Sequence, residues 1–185
     1  DFSVADVVVS VGADFLGDWQ GGGFDSEYAK NRIPDHGKMS KHIQFESNMS
    51  LSGANADTRV PVTPSQQKLV LAKLYAYVTG NSVSGSLPEA IDAKVKAAAK
   101  HIKKAGSKAV VITGIQDVSA QTVALELNSY LSSKAFKPET PIMTRQGHDG
   151  SVLQLVNDMK SGRVAALIMS GVNPLYTLPN ANDFA

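Results

Sequence analysis

The 185-residue chain contains no cysteine. That excludes disulfides, thiolate zinc sites, iron–sulfur ligation and cysteine nucleophiles within this sequence. It also carries almost no net charge, +1 from 18 basic and 17 acidic side chains. Nucleic-acid-binding domains show a clear basic excess, so no nucleic-acid partner is expected. No apolar run is long enough to cross a bilayer, so no direct membrane span is expected, and no signal-peptide pattern stands at the start. His36, His42, His101 and His148 are scattered without metal-ligand spacing on a helix and read as surface or turn residues, so no metal site is expected. No serine sits in a G-x-S-x-G elbow, and no catalytic constellation is found.

What is present is a globular composition, 43% hydrophobic and 19% charged, in a length that suits one core. The expectation is a single α/β domain over residues 1–185. Asp1-Phe2-Ser3 enters an apolar strand almost at once, and Asn180 to Ala185 ends in mid-loop. Both suggest an excerpt of a larger multidomain subunit.

Ala5 to Ala13, centred on Val7, Val8, Val9 and Val11, is a nearly continuous β-branched run. That is the pattern of a strand buried on both faces of a parallel sheet. His42 to Glu46, Val60 to Val62, Ala109 to Gly114 and Val164 to Ser170 are read as further strands. Pro61 places its strand at an edge, because proline lacks a ladder donor. The strands starting near residues 5, 109 and 164 are the most apolar and are expected at the centre. A short helix is read at about Asp25 to Arg32, and Ser47 to Asp57 as loop. Thr63-Pro64-Ser65-Gln66 and Ser86-Leu87-Pro88-Glu89 are read as capping boxes. They open helices that end at Gly80 and Gly106. Further helices are expected over about Ser119 to Leu131, and from a cap at Asp149 to an end at Gly162. The alternation predicts a doubly wound, mainly parallel sheet of about five strands with helices on both faces, Rossmann-like.

In such sheets ligands bind at the carboxyl ends of the strands. Three strands here end in glycine: Gly12, Gly114 and Gly171. Glycine admits close approach to the backbone and exposes N–H donors. Asp14 and Asn173 each follow two residues after their glycine, where they can hold a turn or bond a base or ribose. The dinucleotide fingerprint is absent. Gly12 and Gly17 have phosphate-loop spacing, but Asp18 stands where lysine is required. Asp14, Asp18 and Asp25 read as solvated loop carboxylates rather than a cation site. Lys96, Lys100, Lys103 and Lys104 share one helix face, which reads as solvated.

Four segments carry a resemblance. Ala5-Asp6-Val7-Val8-Val9-Ser10-Val11-Gly12-Ala13-Asp14 resembles the "A-D-hydrophobic-G-x-N-P" strand of molybdopterin oxidoreductases of the DMSO reductase family. Leu167-Ile168-Met169-Ser170-Gly171-Val172-Asn173-Pro174 is similar to that family's second "G-x-N-P" strand. Asp57 to Pro64 resembles the approach to its "R-P-G-T-D" loop, and Val111-Ile112-Thr113-Gly114 the strand between. In that family these turns hold the guanosine and pyrophosphate parts of a pterin dinucleotide. The resemblance therefore implies cofactor-binding positions at Gly12, Asp14, Glu46, Gly114, Gly171 and Asn173, with molybdopterin guanine dinucleotide as the cofactor if the site is intact.

The departures bear on that site. Asp14-Phe15 replaces Asn-Pro, Ser65-Gln66-Gln67 replaces the "G-T-D" segment, and Glu46-Ser47 replaces Pro-Arg. Carboxylates then face a polyanion without a matching arginine, at a cost on the order of a kcal/mol each. Phe15 to Trp19 and His42 to Ser50 resemble the molybdenum-free branch, the molybdopterin-like half of the iron–sulfur subunit of alternative complex III, a bacterial quinol-oxidising respiratory complex. That likeness implies no cofactor in this fragment and iron–sulfur clusters only elsewhere in the full protein. It implies partners among other domains of the same chain and other subunits of a membrane complex. It implies a location on the periplasmic side of the inner membrane.

Overall fold

A computed structural model describes residues 1–17, 19–143, 147–179 and 181–184, and only the backbone of His36. Asp18 lies outside the described residues. The chain forms two compact units, Asp1–Thr144 and Arg145–Ala185.

The first unit is built on four parallel strands: β1 (Val7–Val11), β2 (Lys41–Glu46), β3 (Thr58–Pro61) and β4 (Ala109–Thr113), in the order β3-β2-β1-β4. Around them run α1 (Phe24–Lys30), α2 (Leu51–Ala54), α3 (Pro64–Thr79), α4 (Glu89–Ala105) and α5 (Val118–Tyr130). β1 is buried along its whole length, as its valine run predicts. Its alternating residues feed two cores. Val7, Val9 and Val11 join Ile43, Phe45 and Val111 beneath α3, α4 and α5. Val8, Val110 and Ile112 join Phe2, Phe15 and Tyr28, the last from α1, on the opposite face. Helices thus cover both faces, the doubly wound arrangement expected. Each buried valine or larger side chain contributes roughly 1.5–3 kcal/mol.

Local signals set several boundaries. Thr63 and Gln66 make the reciprocal capping box of α3, and Gly80 closes that helix with φ +86°. Gly106 caps α4, and Pro61 lies on the edge strand β3. Four expectations are corrected. Ser86 does not cap α4: Pro88 is its N-cap, and the Pro88 carbonyl accepts from Ile91 and Asp92. Ser47 to Asp57 is not all loop, because Ser50 caps the short α2 through the Gly53 N–H. His42 is not a surface residue but fully buried. β4 lies at the edge of the four strands rather than the centre.

That edge explains part of the difference. In the β1–β4 register the groups of Ala109, Val111 and Thr113 point outward, and side chains take them. Ser133 Oγ donates to the Ala109 carbonyl at 2.6 Å and Gln121 Nε2 to that of Thr113 at 3.3 Å. The Asn128 amide accepts from the Val111 N–H at 2.9 Å and donates to its carbonyl at 2.6 Å. Asn128 therefore does for Val111 what a fifth strand would do.

The second unit contains α6 (Asp149–Lys160), α7 (Pro174–Thr177) and α8 (Ala181–Phe184). His148, not Asp149, caps α6 by accepting from the Ser151 N–H. The expected strand Val164 to Ser170 is not formed. A strand needs ladder partners, and the described residues of this unit contain no other strand. Ile168 is 94% exposed.

Asn128→Ala removes both partners of a buried backbone pair. The expected loss is about 1–3 kcal/mol of folding stability, read as a lower urea midpoint. Ser129→Ala, exposed on the same helix, should stay within about 0.5 kcal/mol of the parent.

Candidate functional site

The carboxyl ends of β1, β2 and β4 bring together four of the six positions picked from sequence: Gly12, Asp14, Glu46 and Gly114. Gly12 adopts φ +72°, the left-handed region that favours glycine. Its N–H donates to the Phe45 carbonyl at 2.8 Å, and the Gly114 N–H donates to that of Val11 at 3.0 Å. Both donors are therefore spent on neighbouring strands. Gly114 is needed for another reason. A Cβ there would lie 2.7 Å from the Gly12 carbonyl carbon, so glycine sets how closely the ends of β1 and β4 approach.

Glu46, at the end of β2, is 3% exposed. One carboxylate oxygen accepts from Arg59 Nε at 2.5 Å and from the Ser50 N–H at 3.2 Å. The other accepts from Ser50 Oγ at 2.6 Å and Gln44 Nε2 at 3.2 Å. Burial works to raise its pKa, but the Ser50 hydroxyl, the Arg59 guanidinium, the Ser50 N–H and the Gln44 amide outweigh it. The carboxyl is held below its ordinary value. A Cβ on Gly53 would collide with this carboxylate, so glycine lets α2 close over it.

Asp14 is held by the same segment. Its carboxylate accepts from the Ser52 N–H at 2.8 Å, while Ser52 Oγ accepts from the Leu16 N–H at 2.9 Å. Gln67, in the segment that departs from "G-T-D", reaches across Gly12 and donates to Ser47 Oγ at 2.8 Å.

A guanidinium does stand beside Glu46, although not at position 47, where the resemblance expects an arginine. Arg59 comes from β3, whose register sets it beside Gln44, and no linear pattern links it to Glu46. Chemically, the donors gathered here are those that would hold an oxyanion: a guanidinium, a hydroxyl, an amide and two backbone N–H groups. Two of the protein's own carboxylates occupy them. Among the described residues no group of three or more His, Asp or Glu side chains could hold a metal.

Gly171 and Asn173 belong to the second unit. Gly171 has φ +65°. Asn173 caps the short α7 through its carbonyl, which accepts from Tyr176 and Thr177, with no cap bond from its side chain. Both are exposed. A cavity of about 420 Å³ opens elsewhere in the first unit, lined by Phe2, Trp19, Phe24, Thr113, Gln121 and Leu125 among others. None of the six sequence-picked positions lines it.

No protein-family model matches the chain, and a search of curated proteins finds no match.

Glu46→Ala leaves the guanidinium of Arg59, only 26% exposed, without its buried partner. A loss of about 3 kcal/mol is expected, measured by urea unfolding at neutral pH. The sign of the pH effect follows from the depressed folded pKa. Glu46 stabilises fully above the ordinary glutamate value, and that contribution is lost as pH falls through its folded value. Glu46→Gln should therefore flatten the acid limb of the stability curve.

Proposed function

We propose that this chain is a structural and docking domain of a molybdopterin oxidoreductase-like respiratory subunit in a quinol-oxidising electron-transfer complex, with its dinucleotide site degenerate. The observation that supports this reading is the occupation of the strand-end donors by Glu46 and Asp14. A pyrophosphate brought to this edge would meet two carboxylates and would have to displace one from a guanidinium and a hydroxyl. Removing one partner of a buried ion pair costs about 3–5 kcal/mol. The family-like strands supply the second support, since they place Gly12 and Gly114 at the edge where the resemblance expects a nucleotide.

On this reading the domain contributes shape and contact surface. Electron transfer belongs to iron–sulfur centres elsewhere in the subunit, and the partners are other domains of that chain and neighbouring subunits on the periplasmic side of the membrane.

Metal and pterin analysis of the full-length native protein tests the proposal, together with calorimetric titration by GMP and GDP. Less than stoichiometric molybdenum, tungsten and pterin, with no nucleotide heat at millimolar ligand, is the expected result. Stoichiometric metal with bound pterin, or a saturable guanine nucleotide heat at millimolar ligand or below, would overturn it.

A further inference from the structure

β2 alternates in an unusual way for a strand with helices on both sides. Ile43 and Phe45 face the apolar core beneath α3 and α4, while His42, Gln44 and Glu46 line the other face and are equally buried. Their side chains touch in sequence: His42 Nε2 and Gln44 Oε1 are 3.2 Å apart, as are Gln44 Nε2 and Glu46 Oε2. At the far end the Tyr28 hydroxyl, from α1, lies 3.1 Å from His42 Nδ1.

The direction of every bond in this row can be worked out. An ionised carboxylate only accepts. Gln44 Nε2 faces both Glu46 and the Ala13 carbonyl, at 3.1 Å, so it must be the amide nitrogen. Gln44 Oε1 therefore accepts, and neutral His42 carries its proton on Nε2. Nδ1 is then the acceptor, and Tyr28 donates to it. The row is polarised from Tyr28 to Glu46.

Tyr28 has a second acceptor within reach, the Asn55 carbonyl at 3.4 Å. The hydroxyl can turn from Nδ1 to that carbonyl and accept from a protonated Nδ1 instead. We propose that His42 and Tyr28 form a proton-operated switch in which a proton from solvent on His42 Nδ1 turns the Tyr28 hydroxyl to Asn55 and changes the hold of α1 on the sheet.

The groups around His42 set its response. From α1, Tyr28 presents its ring edge-on at 5.5 Å, and Arg32 lies over that ring at 5.5 Å. From the segment before β3, Asp57 pairs with Arg32 at 2.9 Å and accepts from the His42 backbone N–H at 2.7 Å. Phe15 packs on the imidazole at 5.1 Å, and Glu46 lies along β2. Burial lowers the His42 pKa most. Gln44 opposes this, Arg32 adds to it, and Asp57 and Glu46 oppose it further. With the folded value below the ordinary one, stability is complete above the ordinary histidine value and falls as pH drops below it.

A reporter is built in. Trp19, the single tryptophan, packs on Phe24 of α1 at 4.9 Å between ring centres. The experiment is a pH titration of the chain followed by Trp19 emission, with the His42 ring followed by nitrogen NMR. Neutral His42 should show the Nε2–H tautomer. Its titration should fall below the ordinary histidine value and coincide with a step in Trp19 emission. That step should be lost in His42→Gln and kept in His101→Gln. Tyr28→Phe covers the case in which His42→Gln does not fold: it keeps the imidazole but should uncouple its titration from the tryptophan signal. An Nδ1–H neutral tautomer, an emission step that persists in His42→Gln, or coupling unchanged in Tyr28→Phe would overturn the proposal.

Discussion

A carboxylate taken out of water must be given charge and hydrogen bonds by the protein itself, and Glu46 sets that demand at the end of β2. Meeting it fixes much of the surrounding structure. Arg59 must come alongside, which ties β3 to β2 in the observed register. Ser50 must turn both its N–H and its hydroxyl inward, which starts α2 at Leu51. Residue 53 must lack a Cβ, or α2 could not close over the carboxylate. A four-residue edge strand and a four-residue helix are marginal elements alone. Here a shared ionic contact holds them.

The same edge shows how one residue type can serve two purposes. Glycines at strand ends suggest ligand contact because they expose backbone N–H groups. In this molecule the N–H groups of Gly12 and Gly114 go to adjacent strands, and the missing side chains are used for close packing of protein on protein. The turn after β1 follows suit, since Asp14 and Leu16 are both tied to Ser52. The geometry of a nucleotide crevice is compatible with a surface already filled from within, and that compatibility underlies the docking-domain proposal.

What was legible in the sequence follows the range of each signal. The valine run of β1, the apolar β4, the proline of β3 and the Thr63 box are local or strictly periodic, and each holds. The pairing of Glu46 with Arg59 and the burial of His42 depend on residues brought together by the fold. The alternation His42-Ile43-Gln44-Phe45-Glu46 would ordinarily mark a strand with one wet face. Val164 to Ser170 shows the opposite limit. Its composition is that of a strand, but period describes side chains, whereas a strand also requires a partner for its backbone. The outward groups at Ala109, Val111 and Thr113 of β4 are meanwhile taken by Ser133, Asn128 and Gln121, a substitution no linear pattern announces.

The buried polar face of β2 has a consequence for the sheet. β1 has five consecutive buried residues, four of them valine, so a one-residue slip would exchange Val7, Val9 and Val11 for Val8 and Ser10 and misplace only one polar side chain. In β2 the same slip would drive His42, Gln44 and Glu46 beneath α3 and α4 and leave Ile43 and Phe45 against the Tyr28 hydroxyl and the Ser50 donors. Among the described residues no buried side-chain nitrogen or oxygen lacks a partner, and a slip would orphan most of this row together. A completely satisfied polar row contributes little net stability, but a broken one is costly. The row therefore acts mainly on register: it excludes the neighbouring alignment of β2, and through the β1–β2 ladder it fixes the alignment of a strand whose own side chains specify it weakly.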